Sequence, residues 1–380
     1  MSIGTIFLTV ETSLPPGETT LAGKESIALL KSAVASLDAP SLRTAGLDRG
    51  LISELEAWLN KGARQSLLIK EDRPLLTAKS LGRLVKERER MAVPWVTLNS
   101  PAGDLVAGCA DVRWLVEQIR LSPEPLSLEC LTPAATLPAD PAECLTVDSL
   151  SALAEAERLL RRRINQAWME AGVRMIDPAT TYIDATVTIG RGTVILPNTH
   201  LWGETQIGES CRVGPNSMVL DSQIGDRCVI NASVVEHAVM EDEADIGPFG
   251  HLRQGARMCR GAHMGNFGEM KNSTLGPNAK MGHFSYLGDA TVGQDVNIGA
   301  GTITCNYDGA KKHQTIIEEG AFIGSGSMLV APLEIGAGAI VGAGSVVTHN
   351  VPAGAVAYGI PARVKVNVKE EEGKESESGK

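Results

Sequence analysis

The stretch Ile183 to Val219, IDATVTIGRGTVILPNTHLWGETQIGESCRVGPNSMV, decides the fold. Aliphatic residues stand at Ile183, Ile189, Ile195, Leu201, Ile207, Val213 and Val219, six residues apart at every step. That period fits neither an α-helix nor a simple hairpin sheet. It fits a solenoid in which each hexapeptide is one short strand and one turn. The aliphatic side chain points inward. The glycine that often follows it, as in IGRG, IGES and VGPN, permits the corner, where a Cβ would be strained.

The beat continues downstream. Some steps shorten to five, at Ile224, Val235, Leu275 and Val292. A strict run returns at Leu252, Met258, Met264 and Met270, and again at Ile317, Ile323, Leu329, Ile335, Val341 and Val347. Between Ile298 and Ile317 the beat stops, around the polar piece NYDGAKKH. Upstream, Leu153, Ala156, Leu160, Ile164 and Ala167 recur at helical spacing, which predicts a helix with Asp148 as N-cap and Gly172 as its stop. Arg161, Arg162 and Arg163 read as a solvated helix face rather than an anion site. The charged, apolar-poor end, KEEEGKESESGK, reads as a disordered tail.

Composition bounds the function. The 380 residues suffice for two domains and a sizeable core, and 40 glycines with few aromatics suit a tightly turning β structure. A net charge of -10 and no basic stripe interleaved with aromatics argue against nucleic acid. The start MSIGTIFLTVETS has no basic n-region, and no apolar run reaches membrane-spanning length. Seven scattered cysteines with no C-x-x-C pair read as reduced thiols, so a cytoplasmic protein is expected.

The segments IDPATTYID, IGPFGHLRQGA, MGNFGEMKNS, MGHFSYLGDA and VNIGAGTITCNYDGAKKHQTII closely resemble the acetyltransferase half of a bifunctional family. That family joins N-acetylglucosamine-1-phosphate uridyltransferase to glucosamine-1-phosphate acetyltransferase and makes UDP-N-acetylglucosamine, a peptidoglycan precursor. The resemblance covers about Thr146 to Val366. It implies a left-handed parallel β-helix, triangular in section, with three hexapeptides per coil. It also implies a homotrimer with acetyl-CoA as cosubstrate, bound between neighbouring subunits, and an amino-sugar phosphate as acceptor.

Counting coils places the candidate site. Leu252 and Met270 are three hexapeptides apart, so Arg253 and Lys271, which follow them, stack on adjacent coils about 4.8 Å apart. Two cations at that spacing call for an anion such as phosphate, and the resemblance implies that they grip the sugar phosphate. One coil on, Tyr286 stacks over Glu269, and His283 lies in the same coil. A neutral imidazole suits removal of the amine proton. The resemblance assigns the base to His283, with Glu269 as its orienting partner, and sugar binding to Tyr286 and Asn297. It implies that the broken beat is a loop reaching toward a neighbouring subunit. Asn306 and Tyr307 then line the acceptor pocket, and Lys312 adds a cation to the phosphate site. Ser325 and Ala343 match positions that contact coenzyme A. Enterobacterial members carry an arginine near the coenzyme phosphates where this chain has Ile360; Arg363 and Lys365 lie nearby, at positions that do not coincide with it.

The resemblance frays in residues 1–145. A full member opens with a Gly-rich loop that cradles nucleotide phosphates. Here TIFLTV runs into ETSLPPGETTLAGK, only Leu21 to Lys24 is recognisable, and Pro16 falls where a lysine would be. Asp72, in LLIKEDRPLL, matches a magnesium-holding aspartate, but Glu71 replaces a glycine and Arg73 a small apolar residue. The expected organisation is a shrunken, inactive nucleotidyltransferase-like α/β domain at 1–145, a linker helix at 146–176, the β-helix at 177–366 and a tail at 367–380. Magnesium is expected only if the first domain works. The expected function is acetyl transfer to glucosamine 1-phosphate. The alternatives are the same chemistry on another amino-sugar phosphate or nucleotide sugar, and a non-catalytic trimeric scaffold for a separate uridyltransferase.

Overall fold

The computed structural model describes residues 3–8, 20–21, 24–35, 41–44 and 47–365. Pro16, Ala22 and Gly23, the stretch where a Gly-rich loop would stand, and the tail 367–380 lie outside the described residues. The chain divides into two compact units, Met1–Arg161 and Arg162–Lys380. Among the described residues no helix is long and apolar enough to cross a membrane.

The first unit holds a six-stranded sheet in the order Ser41–Thr44, Ile3–Leu8, Gln65–Lys70, Leu105–Asp111, Trp95–Asn99, Ala135–Pro138. All neighbours pair in parallel except Leu105–Asp111, which runs against both of its partners. Alternate residues of each strand face opposite sides, so each face collects its own core. Phe7, Leu67, Ile69 and Val96 pack with Leu30, Leu81 and Leu84, from the helices Ser26–Ala35 and Ala78–Met91. Ile6, Leu68 and Trp95 pack with Leu55, Trp58, Leu115 and Ile119, from the helices Ile52–Asn60 and Val112–Leu121. The result is an α/β layer with helices on both faces.

The second unit is a parallel β-solenoid of three sheets. The first face carries ten strands from Thr181–Ile183 to Val346–Val347, the second nine from Thr188–Ile189 to Leu333–Ile335. The third carries twelve, from Arg174–Met175 to a terminal antiparallel hairpin, Val356–Gly359 with Ala362–Lys365. The inward column of the first face runs Ile183, Leu201, Val219, Val235, Leu252, Met270 and Leu287, all buried in one continuous core. After Ile298 the beat does not stop. Thr304 takes the next inward place, in register with Leu329, and is 1% exposed. Its hydroxyl accepts a hydrogen bond from Gly288 N at 2.8 Å, which satisfies a polar group in an aliphatic column. The true insertion is therefore only the piece between the strands Ile303–Cys305 and Thr315–Ile317.

The glycine after Ile298 serves close approach rather than a left-handed turn, whereas Gly214 and Gly247, after Val213 and Ile246, have φ 101° and 109°. A Cβ on Gly299 would stand 2.5 Å from Ser325 N of the next coil.

The helix of the sequence reading spans Leu150–Glu170, and the boundary between the two units falls within it. Ser149, not Asp148, caps it: Leu153 N donates to Ser149 O and Ala152 N to its hydroxyl. Gly172, at φ 98°, ends it. The apolar face is shared. Leu153 and Leu160 pack around Leu75 and Ala156 in the first unit, while Ile164 and Trp168 pack on the solenoid core.

Candidate active site

Three outward residues of the first face stand in register on successive coils, His251 beside Glu269 and Glu269 beside Tyr286. Arg253 and Lys271 follow the inward residues Leu252 and Met270, which are themselves in register, so the two cations occupy equivalent places one coil apart. Arg253 does not stand free. Its Nη1 donates to Glu269 Oε1 at 2.8 Å. Tyr286 carries a phenol whose pKa is raised, first by partial burial and then by the Glu269 carboxylate, so it serves as a neutral donor.

Gly288 is in register with Lys271. A Cβ there would lie 2.4 Å from the Tyr286 hydroxyl and 2.7 Å from Asn306 Nδ2, so these two polar groups meet only because the position is glycine. Asn306, 9% exposed, also donates to Asp289 Oδ2 at 2.5 Å, and Asn272 donates to Asp289 Oδ1 at 2.6 Å.

His283 ends the strand Lys280–His283 on the third face, at the corner where the chain turns onto the first. Its ring is held by Asn266, its register partner one coil below, through Nδ1 and Asn266 Oδ1 at 2.5 Å. An amide oxygen only accepts, so Nδ1 is the donor, and in the neutral ring Nε2 keeps its lone pair. The sequence reading gave this orienting role to Glu269. That is corrected: Glu269 lies across the first face and is engaged by Arg253, while strand register delivers Asn266 to the imidazole.

Along the corner above His283, Gly301 N donates to His283 O, Gly326 N to Ala300 O and Gly344 N to Ser325 O. His283, Ala300, Ser325 and Ala343 thus line one edge of the prism. At one coil per about 4.8 Å, Ser325 lies about 10 Å along the axis from His283. Below, the next position along this corner carries Phe249, Phe267 and Phe284, whose rings stack with centroids 5.2 and 5.0 Å apart. All three have left-handed backbones, at φ 62°, 57° and 49°, and Phe284 is 64% exposed. This aromatic column was not anticipated, although its members are spaced by one coil length in the sequence.

The remaining candidates are dispersed. Asn297 lies on the third face between Lys280 and Phe322, away from Tyr286. Arg363 pairs with Tyr358 in the terminal hairpin. The inserted loop folds on itself. Tyr307 bridges to Lys312, and Asp308 accepts from Lys311 N, Ala310 N and His313 Nε2. The Lys311 amide first, then His313 and the Ala310 amide, hold the Asp308 carboxyl far below the usual carboxylate range. Gln314 Nε2 ties the loop base to Thr291 at 3.1 Å. Lys312 and His313 border a depression of about 450 Å³ with Gly255, Asn272, Asp289 and Thr291 of the same chain. Within the single chain Lys312 thus flanks its own wall.

In the first unit Asp72 is 8% exposed, and burial foremost pushes its carboxyl pKa up, against the pull of Arg73. Arg73 Nε lies 3.7 Å from Asp72 Oδ1. Among the described residues no three His, Cys, Asp or Glu side chains gather as a metal site.

The profile of the bacterial transferase hexapeptide family (six repeats) matches residues 186–221 and 314–349. The bifunctional protein GlmU of Heliobacterium modesticaldum is 49% identical over 231 residues, covering 61% of this chain and 50% of that one. GlmU of Carboxydothermus hydrogenoformans is 50% identical over 218 residues, 57% of this chain and 49% of that one. GlmU of Thermotoga petrophila is 48% identical over 210 residues, 55% and 47%. The solved UDP-N-acetylglucosamine acyltransferase of Francisella novicida aligns at TM-score 0.34 and 13% identity, over 50% of this chain and 70% of that one. The chain spans about half the length of the curated relatives it matches. Over its hexapeptide-repeat half, this chain is similar to about half the length of each of these GlmU proteins.

Proposed function

We propose that the chain transfers the acetyl group of acetyl-CoA to the amino group of glucosamine 1-phosphate. The observation that carries this reading is His283, with Nδ1 held by Asn266 and Nε2 free, at the start of the bare corner of Ala300, Ser325 and Ala343. Nε2 takes a proton from the amine as its nitrogen attacks the thioester carbonyl. The N–C bond forms, the C–S bond breaks, and the coenzyme leaves as the thiol with that proton. The donor lies along the corner past Ser325 and Ala343. Arg253 and Lys271 take the acceptor phosphate, and Tyr286 and Asn306 donate to its sugar oxygens. Asn297, Tyr307 and Lys312 serve the acceptor, and Arg363 the coenzyme phosphates, from a neighbouring copy in a homotrimer. Steady-state kinetics with glucosamine 1-phosphate and a panel of other amino-sugar phosphates test the reading. Turnover with none of them overturns it.

Arg253→Ala raises the Michaelis constant for the sugar phosphate by about 10- to 100-fold, the worth of one hydrogen bond to a charged group. The constant for acetyl-CoA stays within about twofold by the same reasoning. The reverse pattern, measured with each substrate varied in turn, moves Arg253 to the donor side.

The first unit does not transfer uridyl groups in this reading. Uridyl transfer needs a phosphate cradle, a cation and a magnesium carboxylate together. Asp72 is buried beside Arg73, which competes with any metal for its charge. Purified protein supplied with UTP, N-acetylglucosamine 1-phosphate and magnesium should release no pyrophosphate. Release that disappears in Asp72→Ala would falsify this.

A further inference from the structure

The polar patch of the first face extends one coil further than the residues singled out above. His251 Nε2 meets Glu236 Oε1 at 3.1 Å, and His251 is the register neighbour of Glu269. Glu269 therefore sits between His251 on one side and Tyr286 on the other. Its present partner is Arg253. These side chains are half-exposed and their pairs can exchange: Glu236 and His251 at 32% and 38%, Arg253 and Glu269 at 38% and 39%.

The charges facing His251 can be enumerated. Arg253 follows its own strand directly, Glu236 is on the coil below, Glu269 and Lys271 on the coil above, and the Tyr286 phenol is neutral. With His251 neutral, the two carboxylates balance the two cations. A phosphate dianion entering between Arg253 and Lys271 leaves two net negative charges and strips Glu269 of its partner. A half-buried carboxylate left without a cation beside a phosphate is unfavourable.

We propose that His251 is a positioning residue that takes over Glu269 when Arg253 turns to the acceptor phosphate. Glu236 holds the imidazole in place. Acceptor binding is thereby linked to uptake of one proton by His251. The sign follows directly: the proton must be added where the imidazole is neutral, so the contribution of His251 to acceptor affinity is larger at pH 6 than at pH 8. This inference rests on the acceptor site proposed above and adds a proton-linked control of its affinity.

The test is calorimetric titration of the full chain with glucosamine 1-phosphate from pH 6 to pH 8, in buffers of different ionisation heat. The ligand titrates too, so each variant is compared with wild type at the same pH. His251→Gln should bind about tenfold more weakly than wild type at pH 6, the scale of one charge-assisted bond, and equally at pH 8. It should also take up less proton on binding. His251→Arg, a cation that does not titrate, should restore tight binding at both pH values. In Glu269→Gln the second substitution His251→Gln should have no further effect. Parallel affinity curves for wild type and His251→Gln would overturn the inference while leaving the acetyl-transfer reading intact. Weak binding by His251→Gln that His251→Arg does not rescue would overturn it too. Wild-type chain that neither binds nor acetylates glucosamine 1-phosphate would overturn both readings.

Discussion

His283→Ala lowers the turnover of acetyl transfer by about 100-fold or more, the usual contribution of a positioned general base. Affinity for the sugar phosphate changes little, because Arg253 and Lys271 remain in place on the first face. The fold is expected to persist. His283 is exposed, and its backbone carbonyl, not its ring, accepts from Gly301. Pre-steady-state acetylation at saturating substrates separates the chemical step from product release. A variant with near-normal turnover and native circular dichroism would remove His283 from the mechanism.

Gly265→Val breaks the solenoid. Gly265 and Gly282 lie on paired parallel strands of the third face. A Cβ on Gly265 would stand 1.9 Å from Gly282 O, a backbone atom that further coils hold in place. Neither strand can withdraw without breaking its own ladder to the next coil. The expected cost is about 3 kcal/mol or more, at the upper end of overpacking effects. For a unit of this size it corresponds to a fall in melting temperature of roughly 6–12 °C. Gly282→Ala is the control, because a Cβ there meets nothing within 4 Å. Scanning calorimetry of the two variants decides the matter: equal melting temperatures would mean that the coils adjust and that the close approach is not a constraint.

The wall of the solenoid was legible because an inward residue at fixed spacing is a property of the sequence itself. So was the stacking of Arg253 with Lys271 and of Tyr286 with Glu269, since register follows from coil length alone. The count failed where chemistry replaced pattern. Thr304 keeps the beat through a hydroxyl that satisfies Gly288 N, and an aliphatic count cannot see it. It also failed at corners. The resemblance and the coil count suggested Glu269 for His283, but the two belong to different faces, and the imidazole finds the residue one coil length before it. Asn266 and the three stacked phenylalanines could have been found by asking what lies a coil away rather than what lies nearby. The first unit is the α/β layer that the sequence suggested. The burial of Asp72 depends on packing between distant segments, which no local spacing encodes.

The corner from His283 to Ala343 behaves as a ruler. Its graduations are coils, and their spacing is set by backbone hydrogen bonds, so a side-chain substitution cannot stretch or compress it. The span between the proton acceptor and the residues farther along that edge can change only in whole steps, by gaining or losing a complete coil. Insertions elsewhere must leave the stack as loops, as Asn306 to Gln314 does, or shift every graduation beyond them. A chain built in this way can alter what it touches residue by residue, but the length of molecule it measures changes only in jumps.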